Sequence, residues 1–62
     1  MPKYRCYPIS LAGLIDGPAH QIDSIDDAAA VVMAYALFPQ RAFEVWLDAR
    51  KVYASRRGDA AL

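Results

Sequence analysis

Two groups of side chains in this sequence are of types that perform chemistry. The first is an aspartate cluster, Asp23, Asp26 and Asp27, whose carboxylate oxygens are ligands that divalent cations prefer. Its spacing lacks the pattern and the loop glycine of an EF-hand. Because the cluster directly precedes a helix-forming segment, we expect it to cap the helix and to complement the helix dipole. The sequence therefore predicts no metal site.

The second group is Cys6 and His20, the single cysteine and the single histidine of the chain. A thiol beside an imidazole can act as a nucleophile with its base. No residue is placed to orient the histidine, however, and a cysteine in a strand usually packs as a small apolar side chain. The glycines are too scattered for a phosphate-binding loop. We therefore expect no catalytic residue, no cofactor and no enzymatic activity.

The aspartates must be positioned by a helix whose composition is the most informative feature of the chain. The segment from Ala28 to Phe38 carries no charge, and the hydroxyl of its tyrosine is its only polar side-chain group. Ser24 followed by Asp27 resembles a capping box, and Pro39 disfavours helical geometry at the preceding residue. We predict a helix from about Ile25 to about Phe38.

This predicted helix is apolar on nearly every side, and such helices are normally covered on every side. One face has mostly small side chains, namely Ile25, Ala28, Ala29, Val32 and Ala36. A bulkier face has Val31, Tyr35 and Phe38, with Met33 and Leu37 reaching further round. The sequence leaves open which face meets the chain's own sheet. A domain of 62 residues can hardly cover both faces, so we expect a second covering surface, most simply another copy of the chain.

Two strands are predicted before the helix. The first runs from Tyr4 to Ser10, with Tyr4, Cys6 and Pro8 on one face. Because Pro8 cannot donate a ladder hydrogen bond, we expect this strand to lie at an edge or to end there. The segment from Leu11 to Pro18, with Gly13, is typical of a turn, and its Asp16-Gly17 pair can close a hairpin. It would lead into a short second strand from Ala19 to Asp23.

Two more strands are predicted after the helix, residues 42–48 and 51–55, with a turn at Ala49 and Arg50. The alternating pattern places three apolar side chains on one face of the third strand, Phe43, Val45 and Leu47. In the fourth strand, Val52 and Ala54 are expected opposite Tyr53. The simplest architecture is a small two-layer α+β domain, an antiparallel sheet with one helix in the order β-β-α-β-β. It would span residues 1–56, followed by a disordered tail at 57–62.

Charge and composition exclude some classes of protein. Seven basic and seven acidic side chains cancel, so no overall field attracts nucleic acid or a membrane surface. A hydrophobic content of 56% argues against global disorder. The N-terminal residues form no apolar signal core, and the apolar helix would be about 16 Å long, about half the thickness of a bilayer core. We expect a cytoplasmic protein with no membrane partner.

The leading functional hypothesis is a small non-enzymatic protein–protein interaction module, either a homodimer or a minor subunit of a larger assembly. The predicted interface residues come from the helix and from the aromatic hairpin: Val31, Met33, Tyr35, Leu37, Phe38, Trp46 and Tyr53. One alternative is a nucleic-acid-binding accessory protein that uses the basic C-terminal residues Arg50, Lys51, Arg56 and Arg57. A further alternative is a small-ligand site between subunits, beside Trp46.

Four short motifs together resemble a group of small uncharacterised proteobacterial proteins of about this length. The motifs are Tyr4-Arg5-Cys6-Tyr7, Asp26-Asp27-Ala28-Ala29, Phe43-Glu44-Val45-Trp46 and Arg50-Lys51-Val52. The resemblance covers most of the chain and implies a small bacterial α+β domain. It implies no activity and no functional residues. The chain departs from that pattern where Val31 to Phe38 lacks an outer polar face, which argues against a monomer.

Overall fold

A computed structural model describes residues 1–55 and shows an antiparallel sheet with one helix packed on one face. The elements are β1 (Lys3–Pro8), β2 (His20–Asp23), α1 (Asp27–Leu37), β3 (Phe43–Leu47) and β4 (Arg50–Ser55). The four strands are ordered β2-β1-β3-β4. The predicted two-layer α+β architecture is therefore confirmed. Arg56 and the predicted tail at 57–62 lie outside the described residues.

The core lies between α1 and the sheet. Alternate side chains of β1 and β3 point into it, and the large ones among them are Tyr4, Phe43 and Val45, all fully buried. The Phe43 ring lies at the centre of an aromatic cluster. Its centroid is 4.9 Å from that of Tyr35, 6.0 Å from that of Phe38 and 6.1 Å from that of Tyr53. The predicted grouping of these side chains on one face of each strand is confirmed, and the structure shows that this face meets α1.

α1 presents its bulkier face to the sheet. Ala30 and Ala34, one turn apart, are fully buried and allow the helix backbone to approach the strands closely. Tyr35 and Phe38 lie to one side of this line of contact and reach the aromatic cluster. Ala28, Val32 and Ala36, which belong to the small-residue face, are exposed to solvent. The small-residue face is therefore turned away from the sheet.

The N-terminus of α1 differs from the predicted capping box. Asp26, not Ser24, is the N-cap, and its carboxylate accepts a hydrogen bond of 2.8 Å from the Ala29 N–H. Ser24 is buried and its hydroxyl donates to the Asp26 carbonyl at 3.2 Å. Aspartate and serine are similarly good N-caps. Asp26 takes this position because Ser24 is buried and its hydroxyl is already bonded to the Asp26 carbonyl. The helix ends at Leu37, one residue before the predicted end, with Phe38 as its C-cap.

β1 lies in the interior of the sheet, so the expectation of an edge strand is wrong, whereas the expected end at Pro8 is confirmed. The pairing of β1 with β2 stops at Cys6 and His20, before Pro8 is reached. The Pro8 nitrogen and carbonyl point to the β2 side of the strand, because the neighbouring Ile9 N–H donates to Ala42 of the chain segment leading into β3. On that side the Pro8 carbonyl accepts a hydrogen bond of 2.8 Å from the Asp16 N–H. The missing N–H therefore costs no hydrogen bond with β2 or β3, and an interior strand tolerates the proline.

The turn after β1 falls at the beginning of the predicted turn segment and not at its Asp-Gly pair. Ser10 and Leu14 are joined by a backbone hydrogen bond of 2.8 Å, and the Gly13 N–H donates to the Ser10 carbonyl at 2.9 Å. Gly13 has a φ of 83°, a conformation that glycine adopts without a steric penalty. The predicted hairpin turn at Asp16-Gly17 is therefore wrong. Asp16 instead receives a hydrogen bond of 3.1 Å from Arg41.

The β3–β4 hairpin turns at Asp48 and Ala49, one residue earlier than predicted, and Arg50 already pairs with Leu47. A bulge lies between the pairs that involve Val45 and Trp46, and Val52 is the extra residue. The simple alternation predicted for β4 is therefore wrong. Both Val52 and its neighbour Tyr53 pack against the core.

Candidate interaction surface

The side of α1 opposite Ala30 and Ala34 is apolar and exposed. At about 100° per residue, the exposed positions span about half of the helix circumference. We call them the outer helix surface: Ala28, Val32, Met33, Ala36 and Leu37. Val32 exposes 69% of its surface, Met33 42% and Leu37 45%. A contiguous apolar surface of this kind is typical of a contact site, whereas scattered exposed apolar residues are ordinary.

The outer helix surface borders a groove of about 490 Å³ on the side of β2. Met33, Ala36 and Leu37 form its helical wall, and residues 21–23 of β2 form the other. β2 is an edge strand of the sheet. The groove therefore opens to solvent beside a strand that has a neighbour on only one side.

The rotation of α1 is held by a hydrogen-bonded cluster at its N-terminus. The buried Tyr4 hydroxyl donates to the Asp27 carboxylate at 2.7 Å, and Arg50 donates to both Asp27 oxygens at 3.2 and 3.5 Å. The Tyr4 hydrogen bond and then the Arg50 guanidinium lower the pKa of the Asp27 carboxyl. The same hydrogen bond raises the pKa of Tyr4. The cluster connects α1 to β1 and β4, and so helps to determine which helical face remains exposed.

The structure divides the predicted interface residues between the surface and the core. Met33 and Leu37 lie on the outer helix surface. Phe38, 9% exposed, belongs to the core, so its assignment to an interface is corrected. Tyr35 and Tyr53 are half-buried beside Phe43, with their hydroxyl groups in hydrogen-bond contact. These three aromatic side chains are used within the chain itself.

Two further placements complete that division. Val31 is half-buried, between the sheet-facing and the outer side of α1. Val32 is strongly exposed, although the sequence placed it on a face that could meet the sheet. At about 100° per residue, Val32 lies about 160° round the helix from both Ala30 and Ala34. Because both sides of the helix are apolar, the sequence carries no signal that distinguishes the outer side from the sheet-facing side.

Trp46 lies on the open face of the sheet, which is the face that α1 does not cover. Its indole N–H donates to the Glu44 carboxylate at 3.0 Å. The Lys51 ammonium lies 3.5 Å from the other Glu44 oxygen and 5.7 Å from the centroid of the indole ring. This local network satisfies the indole and pairs the lysine. Trp46 therefore belongs to a different surface from Met33 and Leu37.

The two described basic residues of the nucleic-acid alternative lie on different surfaces. Arg50 contacts Asp27 on the helical side of the sheet, whereas Lys51 contacts Glu44 on the open side. Arg56 and Arg57 lie outside the described residues. Both described cations are thus paired with carboxylates on opposite faces. A phosphate-binding stripe requires cations that converge on one side.

The aspartates of the sequence cluster have separate structural partners. Asp26 caps α1, Asp27 joins Tyr4 and Arg50, and Asp23 accepts a hydrogen bond of 3.2 Å from the Gln21 side chain. Within residues 1–55, no three His, Cys, Asp or Glu side chains are grouped so that they could hold a metal ion. The arrangement provides caps and cross-links between elements.

Cys6 and His20 are direct cross-strand partners in the β1–β2 pair, a proximity that the sequence did not show. Burial raises the pKa of the Cys6 thiol to about 11, whereas a reactive thiol needs a lowered pKa. The His20 ring packs edge-on against Phe38, with centroids 5.3 Å apart. The geometry therefore favours packing for both residues over thiol chemistry.

A second cleft, of about 600 Å³, lies between the loop after β1 and residues 40–42. Arg41 crosses it and donates to Asp16 at 3.1 Å and to the Ile9 carbonyl at 3.4 Å. The apolar side chains of the loop, Leu11, Leu14 and Ile15, are exposed. Trp46 does not line this cleft, so the cleft is not the ligand site beside Trp46 that the sequence suggested.

Comparison with known proteins finds no match among protein-family models, curated proteins or solved structures. The resemblance to small proteobacterial proteins therefore stays a prediction. Across the part of the chain that the structure describes, no helix has the length and apolarity needed to cross a bilayer. Among residues 1–55, the outer helix surface is an exposed apolar surface formed by a regular secondary-structure element.

Proposed function

We propose that this chain is a small non-enzymatic protein–protein interaction module that self-associates through α1. The observation that carries the proposal is the apolar outer helix surface, on which Val32, Met33 and Leu37 remain 69%, 42% and 45% exposed. A helix on the surface of a monomer normally carries polar side chains on its outer face. A second copy of the chain supplies the covering surface that one copy lacks.

The energetics favour a weak and reversible dimer. Complete burial of one aliphatic side chain stabilises by about 1.5–3 kcal/mol. The exposed fractions of Val32, Met33 and Leu37 together equal about one and a half side chains, so covering them contributes about 2–5 kcal/mol per copy. Association costs about 4–15 kcal/mol in lost freedom of motion. The dimer is therefore expected to dissociate on dilution.

The test is the solution mass of the 6.9 kDa chain, measured by light scattering across a dilution series. The wild-type chain should pass from monomer to dimer as the concentration rises. In a two-fold dimer, Met33→Lys removes the burial of one methionine on each copy, which weakens association by about 1–3 kcal/mol, or about 5- to 140-fold in Kd.

Leu11→Lys is the matched control, since Leu11 is 82% exposed but lies on the loop after β1. This variant should keep the wild-type dissociation constant. A wild-type chain that stays monomeric at every concentration contradicts self-association. A Met33→Lys variant that dimerises like the wild type would move the contact away from this part of α1.

A further inference from the structure

In β2, the backbone N–H and C=O groups of two residues point away from β1, toward the free edge of the sheet. The Ser24 N–H donates to the Pro2 carbonyl at 3.1 Å, directly beyond the Lys3–Asp23 pair. Residue pairs in an antiparallel ladder alternate between hydrogen-bonded and non-hydrogen-bonded. Ile22 is therefore bonded to β1, whereas the N–H and C=O groups of Gln21 and Asp23 point outward at the edge.

We propose that a second copy of the chain pairs with this edge, β2 against β2, antiparallel about a two-fold axis. This inference deepens the proposed self-association and depends on it. Residues opposite each other in an antiparallel pair lie on the same face, so the axis must pass through a residue. An axis at Ile22 places Gln21 opposite the partner's Asp23. Every outward backbone group of Gln21 and Asp23 then has a partner.

The two neighbouring registers satisfy the edge less well, and an axis at Asp23 would pair Gln21 with the partner's Ile25, a residue that follows β2. An axis at Gln21 would pair Asp23 with the partner's Ala19, a residue that precedes β2. The Ile22 register also places the Gln21 amide opposite the partner's Asp23 carboxylate. Within one chain, the Gln21 side chain already donates to Asp23 at 3.2 Å, so the chemistry of the pair is complementary. The register is thus specified by both backbone and side chains.

The same pairing closes the groove beside α1. Because Met33 and Leu37 wall this groove, a partner at β2 brings its own helix alongside them on the same face of a continuous sheet. The apolar side chains next to the edge become covered by their symmetry mates. Val32 points further from the sheet and lies at the rim of such a contact. The edge and the apolar groove therefore form one self-complementary surface.

The opposite edge of the sheet is unsuited to such pairing. β4 contains a bulge and carries Lys51, and both features discourage strand addition at an edge. β2 pairs with β1 in an unbroken register and contains neither lysine nor proline. Of the two edges that the described residues form, β2 is the one that can accept another strand.

The decisive variant is Gln21→Pro. Because the Gln21 N–H points outward, proline at this position removes no backbone hydrogen bond within one chain, but it removes one from each side of the proposed contact. The exposed side-chain bond from Gln21 to Asp23 is lost equally in the alanine control. We expect this variant to show the wild-type circular dichroism spectrum and to be monomeric at concentrations at which the wild type and the Gln21→Ala control are dimeric.

Amide hydrogen exchange of the wild-type chain gives an independent measurement. The amides of Gln21 and Asp23 should be protected at high concentration and should lose their protection on dilution. The Ile22 amide is bonded to β1 and should stay protected throughout, which makes it the internal control. This measurement decides the question even if Gln21→Pro does not fold.

The outcomes separate edge pairing from self-association in general. A dimer that survives Gln21→Pro, with rapidly exchanging Gln21 and Asp23 amides, overturns the edge contact. If Val32→Lys dissociates that dimer, self-association stands and the contact lies on the outward side of α1. A wild-type chain that is monomeric at every concentration overturns both proposals.

Discussion

The rotation of α1 about its axis decides which helical face is available to a partner, and two alanines test that rotation directly. Ala34 is fully buried against the sheet, whereas Ala36 is exposed on the outer helix surface. We consider leucine at each position, Ala34→Leu and Ala36→Leu. Both substitutions exchange one strong helix former for another, so differences in helix propensity have little effect. The contrast between the variants therefore reports packing.

The structure predicts a large difference between the two. Forcing a larger side chain into a filled core costs about 1–3 kcal/mol. At about 0.05–0.15 kcal/mol per residue, a chain of 62 residues has a total stability of about 3–9 kcal/mol. For a domain of this size, about 4–8 °C of Tm corresponds to each kcal/mol, so Ala34→Leu should lower the Tm by about 4–24 °C. Ala36→Leu should change the stability by less than about 0.5 kcal/mol.

The assay is thermal and urea unfolding followed by circular dichroism and Trp46 fluorescence. It should be run at a concentration low enough for the chain to be monomeric, because dimerisation would otherwise add to the measured stability. Equal effects at the two positions, or greater damage from Ala36→Leu, would refute the orientation of α1. The outer helix surface would then be wrongly assigned, and the interface argued from it would fail as well.

Two further predictions concern buried and charged groups of the core and its border. The Cys6 thiol is fully buried and its pKa is raised to about 11. At about pH 8 it should therefore react with a thiol reagent only as fast as the chain unfolds. Rapid labelling of the native protein would show that the core is open. The Asp27 pKa is lowered from its ordinary value of 3.8, so the carboxylate stabilises the fold above that pH and this stabilisation is lost as the pH falls through the lower folded value. Asp27→Asn should therefore lower the urea midpoint at neutral pH and flatten its decline in acid, and an unchanged acid profile would show that the Tyr4 and Arg50 contacts contribute nothing.

The element types were predictable from the sequence because they depend on local patterns. The alternation of Phe43, Val45 and Leu47 predicts a strand with one buried face, and Pro39 predicts where the helix stops. Sheet order is different, since the pairing of Arg5 with Trp46 joins residues far apart in the chain. Periodicity within one strand contains no information about its neighbours. The interior position of β1 therefore had to come from the structure.

The rotation of α1 could not be predicted, because both of its stripes are apolar. Hydrophobic periodicity identifies a buried face only when the opposite face is polar. Tertiary contacts decide here, namely the rings around Phe43 and the cluster that joins Asp27 to Tyr4 and Arg50. These contacts draw Tyr35 and Phe38 into the core. The sequence correctly indicated excess apolar surface on the helix and misassigned some of the residues that supply it.

The small size of the domain and the exposed helix face express the same constraint. A two-layer unit covers each of its layers on one side only, so α1 can bury only about half of its circumference against the sheet. Polar side chains on the uncovered half of α1 would leave no apolar surface exposed, but Val32, Met33 and Leu37 are apolar and exposed there. Any partner that binds only the folded state stabilises it by mass action. In the proposed dimer, the contact that covers this surface would therefore add to the folding stability of each copy, and the folding of the chain would be coupled to the proposed association.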